Sequence, residues 1–160
     1  MSTNKQTLIP GIGNLLMGDE GVGVHAIVRL EKEKLPATVQ CVDGGTGGFH
    51  LLSYFHEYDP IILIDATIDE KAVGTLSVIQ PQFATDFPRT LSAHDIGLRD
   101  LIETAILSAP LPKIFLITIS IYEMRSMVMD LSPEVEASLP TIVEAVWKIL
   151  NSLTEVTQNN

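Results

Sequence analysis

A chain of 160 residues is one domain by length. It can bury roughly two-thirds of its unfolded surface, so it needs no disulfide or structural metal to fold. A hydrophobic fraction of 46% against 19% charged residues excludes a disordered polymer. The excess of 20 acidic over 10 basic side chains, a formal net charge of -10, excludes a binder that must neutralise phosphates and disfavours an anionic membrane surface.

Residues 1–7 are polar and lead to an apolar run only at Leu8, which is unlike a secretory signal. Residues 8–12 read as a strand that ends in Gly11-Ile12-Gly13-Asn14, a turn. Residues 21–33 place Val22, Ala26 and Leu30 on one face and Arg29, Glu31, Lys32 and Glu33 on the other, the spacing of a helix. A second strand at 38–42 contains Cys41, the sole cysteine, which excludes an internal disulfide and reads as a small buried residue. It is closed by the run Gly44-Gly45-Thr46-Gly47-Gly48, and a short helix is expected at 49–55.

Residues 60–66 contain Ile-Ile-Leu-Ile, a strand apolar on both sides, as in parallel sheets covered by helices on both faces. Residues 74–79 suggest another strand, antiparallel because Asp69-Glu70-Lys71 allows only a short connection. Residues 81–93 read as loop. Leu98, Leu101, Ile102, Ala105 and Ile106 then recur at helical spacing within 96–107. A buried strand follows at 114–119, and a closing helix at 133–153 with Ser132 as its N-cap. The apolar runs at 61–64 and 114–119 are too short to cross a bilayer. The expected fold is therefore α/β: a doubly wound, mostly parallel sheet with helices on both faces, one domain over residues 1–153 and a frayed tail at 154–160. A cytoplasmic, soluble protein is expected.

In such sheets ligands bind beyond the C-terminal ends of the strands, where successive connections diverge to opposite faces. The glycine-rich turn after the first strand invites a dinucleotide reading, but the third glycine of G-x-G-x-x-G would fall at Leu16. Asp19 and Glu20 also stand just before the helix, where a pyrophosphate would want backbone N–H groups. Either carboxylate can instead cap the helix. Asp43 ends the second strand and Asp65 the third, so three strands release an acidic residue at one edge. His94, just before the helix at 96–107, belongs at that edge too. One imidazole with two carboxylates suits zinc, nickel or a similar borderline ion. The other histidines, His25, His50 and His56, read as ordinary partly exposed residues. With no G-x-S-x-G and no histidine placed beside Cys41, chemistry here is carboxylate- or metal-assisted rather than nucleophilic.

The run Gly11-Ile12-Gly13-Asn14, followed by Gly18-Asp19-Glu20-Gly21-Val22-Gly23, resembles the opening signature of the hydrogenase maturation proteases. The resemblance continues through Asp43-Gly44-Gly45-Thr46, Asp65, and His94 with Gly97-Leu98, and so covers nearly the whole chain. It implies an endopeptidase that removes the C-terminal peptide of a nickel–iron hydrogenase large-subunit precursor after nickel insertion. It further implies that Glu20, Asp65 and His94 contact the metal, with Asp43 a functional carboxylate near the cleavage site. Nickel is then carried by the substrate, with zinc or cadmium able to substitute in vitro, and Glu20, Asp65 or Asp43 takes the catalytic carboxylate role. A monomer is expected, with neither nucleic acid nor membrane as partner. One departure is Ser120-Ile121-Tyr122-Glu123-Met124-Arg125-Ser126-Met127, where family members often carry a Gly- and Pro-containing turn. Its methionines suit an adaptable protein-binding surface or core packing. The rival expectations are a non-catalytic nickel-binding accessory protein of hydrogenase assembly and a nucleotide- or small-molecule-binding domain.

Overall fold

The computed structural model describes residues 4–46, 49–87, 98–123 and 127–160. Strand β1 (Thr7–Gly11) passes through a 3-10 turn (Gly18–Gly21) into helix α1 (Val22–Leu30) and strand β2 (Val39–Asp43). A short turn leads to α2 (Leu52–Glu57), followed by β3 (Ile61–Ile68) and β4 (Leu76–Ile79). Helix α3 (Leu98–Ser108), β5 (Ile114–Ile121) and α4 (Pro133–Gln158) complete the chain. The sheet order is β2-β1-β3-β5-β4, parallel throughout except for β4 against β5. This is the mostly parallel, doubly wound sheet that the alternation of apolar runs and amphipathic stretches predicts.

The two central strands show why. Every residue of β5 is buried, and β3 is buried over Ile61–Ile64. The two-residue period of a strand sends alternate side chains to opposite faces. Ile62 and Ile64 pack with Val22, Ala26 and Leu30 of α1 and with Ile142 and Val146 of α4. Ile61 and Leu63 pack with Phe55 of α2 and with Leu101, Ile102 and Ala105 of α3. The helix after β1 thus lies on one face, and the return from β3 to β5 through α3 lies on the other. The C-terminal ends of β1 and β3 consequently frame the crevice where this architecture holds ligands.

Several elements differ from expectation. The strand read at 60–66 runs on to Ile68, so Asp65 lies inside β3 and not at its end. The strand at 74–79 is antiparallel but pairs with β5, at the sheet edge beyond it, and not with the strand that precedes it. The connection crosses the end of β5: Gly74 N–H donates to Ser120 O (2.8 Å) and Ser120 N–H to Thr75 O (2.9 Å). Helix α1 is shorter than 21–33, because Gly18–Gly21 forms a tighter 3-10 turn and the helix ends at Leu30. Helix α4 runs to Gln158, five residues into the stretch read as a frayed tail. The hydroxyls of Thr154 and Thr157 bond back to the carbonyls of Leu150 and Leu153, at 3.1 and 3.0 Å, so polar composition there accompanies helix rather than coil. Residues 88–93 of the expected loop, the first two residues of the helix placed at 96–107, and Gly47-Gly48 lie outside the described residues. Among the described residues, no helix is long and apolar enough to cross a membrane.

Candidate active site

The turn after β1 is built by backbone contact. Gly44 N–H donates to Gly11 O (2.8 Å), Ile12 N–H to Ile64 O (2.8 Å) and Gly13 N–H to Gly45 O (2.7 Å), so one tripeptide joins the end of β2 to the middle of β3. The first turn of α1 then presses onto that junction. A Cβ on Gly23 would lie 2.3 Å from Ile12 O and 2.5 Å from Ile64 O, and one on Gly11 2.2 Å from Gly23 O. Real Cβ atoms do not approach backbone oxygens so closely, so these positions require glycine. The glycine-rich signature therefore packs a helix onto the end of β1 and the middle of β3, which accounts for its spacing.

Glu20 is carried in on the 3-10 turn, which packs against β3. Only 6% of its surface is exposed, and its Oε2 accepts the Asn14 N–H at 2.5 Å. The N-cap of α1 is Gly21, with no side-chain capping bond, so neither Asp19 nor Glu20 caps that helix. Asp19 turns the other way. Its two oxygens accept the N–H (2.6 Å) and the hydroxyl (2.7 Å) of Ser132, the N-cap of α4. Nothing in the local sequence signals this contact, because the partners are 113 positions apart.

Asp65 stands half-buried in β3, one residue beyond Ile64, and its Oδ1 accepts the Ala66 N–H (2.8 Å). By strand alternation it shares the α2/α3 face with Thr67, and across the parallel pair with Thr118 and Ser120 of β5. That face is apolar through Leu63 and Leu116 and becomes polar at the row of Asp65 and Thr118. Ser120 is 1% exposed, and its hydroxyl has no hydrogen-bond partner among the described residues. Asp43 is exposed at the end of β2, beside Gly11 in register. Its Oδ1 accepts the Gly45 N–H (2.8 Å), closing an Asx turn in which Gly45 takes φ +58°. His50, read as an ordinary histidine, places Nε2 3.1 Å from Gly44 O and braces this loop.

Of the residues singled out in the sequence, the fold thus brings the Glu20 turn and Asp65 to the β1/β3 crevice, with Asp43 one strand away. His94 lies outside the described residues. Among the described residues, no three His, Cys, Asp or Glu side chains form a metal-holding group.

A profile of the hydrogenase maturation protease family matches residues 24–149. The chain belongs to this family. It is 32% identical over 146 residues to the hydrogenase 2 maturation protease of Escherichia coli, covering 89% of both chains. It is 34% identical over 159 residues to the hydrogenase expression/formation protein HupD of Rhodobacter capsulatus, covering 96% of this chain and 76% of the relative. The structure of the hydrogenase maturating endopeptidase HybD from E. coli superposes with a TM-score of 0.82 at 30% identity, covering 92% of this chain and 93% of the other. A maturation protease HycI from Thermococcus kodakarensis, at 20% identity and a TM-score of 0.73, shares the fold. The protein is accordingly a peptidase of the hydrogenase maturation type.

In this maturation protease Cys41 is a half-buried residue of β2. Burial, with the Glu31 carboxylate nearby, pushes its thiol up to about 11, so it stays protonated at neutral pH. Beside Asp19 opens a groove of about 460 Å³ whose lining includes Tyr122, Glu123, Asp130 and Glu134. Leu16, Tyr122, Met127 and Met129 are all exposed on the neighbouring segments. Of the two methionines in the departing loop, Met127 is on the surface rather than in the core, and Met124 lies outside the described residues.

Proposed function

We propose that this protein removes the C-terminal extension of a nickel–iron hydrogenase large-subunit precursor once nickel has been inserted, and that the substrate's own nickel is its recognition element. The observation that carries this is the arrival of the Glu20 turn and Asp65 at the β1/β3 crevice, two carboxylate-bearing segments fixed by backbone contact in a member of this peptidase family. Glu20, Asp65 and His94 form the set that meets the metal. Nickel held by the precursor docks against them, so that an unloaded precursor lacks the contact that aligns its scissile bond. Zinc or cadmium can take the same place in vitro. A borderline cation with one imidazole and two carboxylates is a chemically matched set.

In the cleavage step a water oxygen adds to the scissile carbonyl carbon. A carboxylate takes the water proton and returns it to the departing amine, and the C–N bond breaks. Asp43 is the preferred base, because its exposed carboxylate at the end of β2 stands at the same sheet edge. Nickel polarises the carbonyl or the water. The protein acts as a cytoplasmic monomer.

The test is intact-mass analysis of the precursor mixed with this protein, with and without nickel loading. Loss of a C-terminal fragment from the loaded precursor alone, abolished by Glu20→Gln or His94→Ala, is the expected result. Nickel binding by the protein with no change in precursor mass would overturn the proposal in favour of a metal-transfer accessory.

A further inference from the structure

We infer that Asp19 is a positioning residue that acts through Glu20, held by a clasp to the start of α4. The inference rests on the reading of Glu20 as a metal-facing group. Four hydrogen bonds join the turn that carries Glu20 to the segment before α4. Val128 N–H donates to Leu16 O (3.1 Å), Gly18 N–H to Val128 O (2.6 Å), and the N–H and hydroxyl of Ser132 to the two oxygens of Asp19 (2.6 and 2.7 Å). Glu20 is the next residue, and its carboxylate is tethered in the opposite direction, to the Asn14 N–H. Its backbone is thus fixed from one side by Asp19 and its carboxylate from the other by the glycine-rich turn.

The orientation of the Ser132 hydroxyl belongs to the same clasp. A serine at a helix N-cap ordinarily turns its oxygen onto an amide of the first turn. Here α4 has no side-chain capping bond, and the hydroxyl is directed to Asp19 instead. The helix gives up its own cap to hold the loop. Both partners are half-buried, so the charge-assisted bonds are only partly screened by water. Small displacements of a group that aligns a reacting centre slow the chemistry far more than they weaken association.

The experiment uses the full chain and a nickel-loaded precursor, with kcat, KM and melting temperature measured for Asp19→Asn, Ser132→Ala, Ser132→Thr and the Asp19→Asn/Ser132→Ala pair. Asp19→Asn and Ser132→Ala are expected to lower kcat on the order of tenfold to a hundredfold with KM unchanged. The double variant should be no slower than the slower single, and Ser132→Thr, which keeps the hydroxyl, should restore the rate. Ser132→Ala removes only one of the two bonds to Asp19 and supplies the answer if Asp19→Asn does not fold. Wild-type kcat in both single variants, while Glu20→Gln abolishes cleavage, would overturn the clasp and leave the proposed function standing. A change confined to KM would overturn it too, by making Asp19 a docking residue. Normal cleavage by Glu20→Gln would remove the premise, and the inference with it.

Discussion

Replacing Gly23 by alanine separates two opposite expectations. Gly23 is the second residue of α1, and in a free helix alanine is favoured over glycine by up to about 1 kcal/mol. Propensity alone therefore predicts a more stable protein. The packing predicts the reverse, because the added Cβ would stand 2.3 Å from Ile12 O and 2.5 Å from Ile64 O. Neither obstacle is the flexible end of a side chain. Ile64 belongs to the buried centre of β3, and Ile12 N–H is bonded to that same Ile64 carbonyl. Relief requires the helix to lift off the end of β1 and the middle of β3. Overpacking of this kind costs about 1–3 kcal/mol, and backbone on both sides puts Gly23→Ala at the top of that range, net about 2 kcal/mol after the propensity gain. For a domain of this size the loss corresponds to roughly 4–8 °C in melting temperature. The assay is urea unfolding at equilibrium, with Gly45→Ala as the control. Gly45 has φ +58° but nothing among the described residues within 4 Å of a new Cβ, so its loss should stay near the about 1–2 kcal/mol of a left-handed residue. A Gly23→Ala protein as stable as the parent would refute the packing account of the glycine signature.

Asp43→Asn keeps the shape of the Asx turn and removes the proposed base, so cleavage of a nickel-loaded precursor should fall on the order of a hundredfold or more in a single-turnover assay. An unchanged rate would leave Asp43 only its loop-closing bond to Gly45. Ser120→Ala deletes a buried hydroxyl that has no partner among the described residues, and urea unfolding should show stability unchanged or raised by up to about 1 kcal/mol. A loss instead would reveal a bond made by that hydroxyl. The Cys41 thiol, raised from 9.0 to about 11 in the folded protein, should react slowly with iodoacetamide at pH 8 and at the ordinary rate in urea. Because the unfolded chain releases this proton first, Cys41 leaves stability untouched below about pH 9 and lowers it as pH rises from 9 toward 11. Equal alkylation rates in the folded and unfolded protein would contradict that assignment.

The parts of this molecule legible in its sequence are those governed by local pattern. Ile61–Ile64 is too apolar for a half-exposed strand and too short for a helix, which places β3 at the centre of a parallel sheet. Asp43 ends β2 as that rule places it, but Asp65, read as ending the third strand, lies inside β3, three residues before its end at Ile68. The unread parts depend on contacts distant in sequence. The pairing of β4 with β5 rather than β3 cannot be taken from the length of the intervening loop. The role of Asp19 is likewise hidden, because an acidic residue before a helix looks like a cap whether it turns toward that helix or toward Ser132. The helical tail at 154–158 was masked by its polarity, although its threonines bond within the helix.

The place of β4 also has a consequence for how the chain is made. Strand β2 meets a partner, β1, that has already been synthesised, but β4 emerges well before the β5 strand it will pair with. Until α3 and β5 have followed, the segment Leu76–Ile79 has no sheet edge of its own to join. During synthesis it is an apolar stretch free to pair with another nascent chain, the hazard typical of strands that wait for a later partner. A ribosome-associated chaperone, or simply rapid elongation past residue 121, would shorten that interval. Yield in a crowded expression host should accordingly depend more on Val78 and Ile79, which remain exposed even in the finished protein, than on any residue of the deeply buried centre.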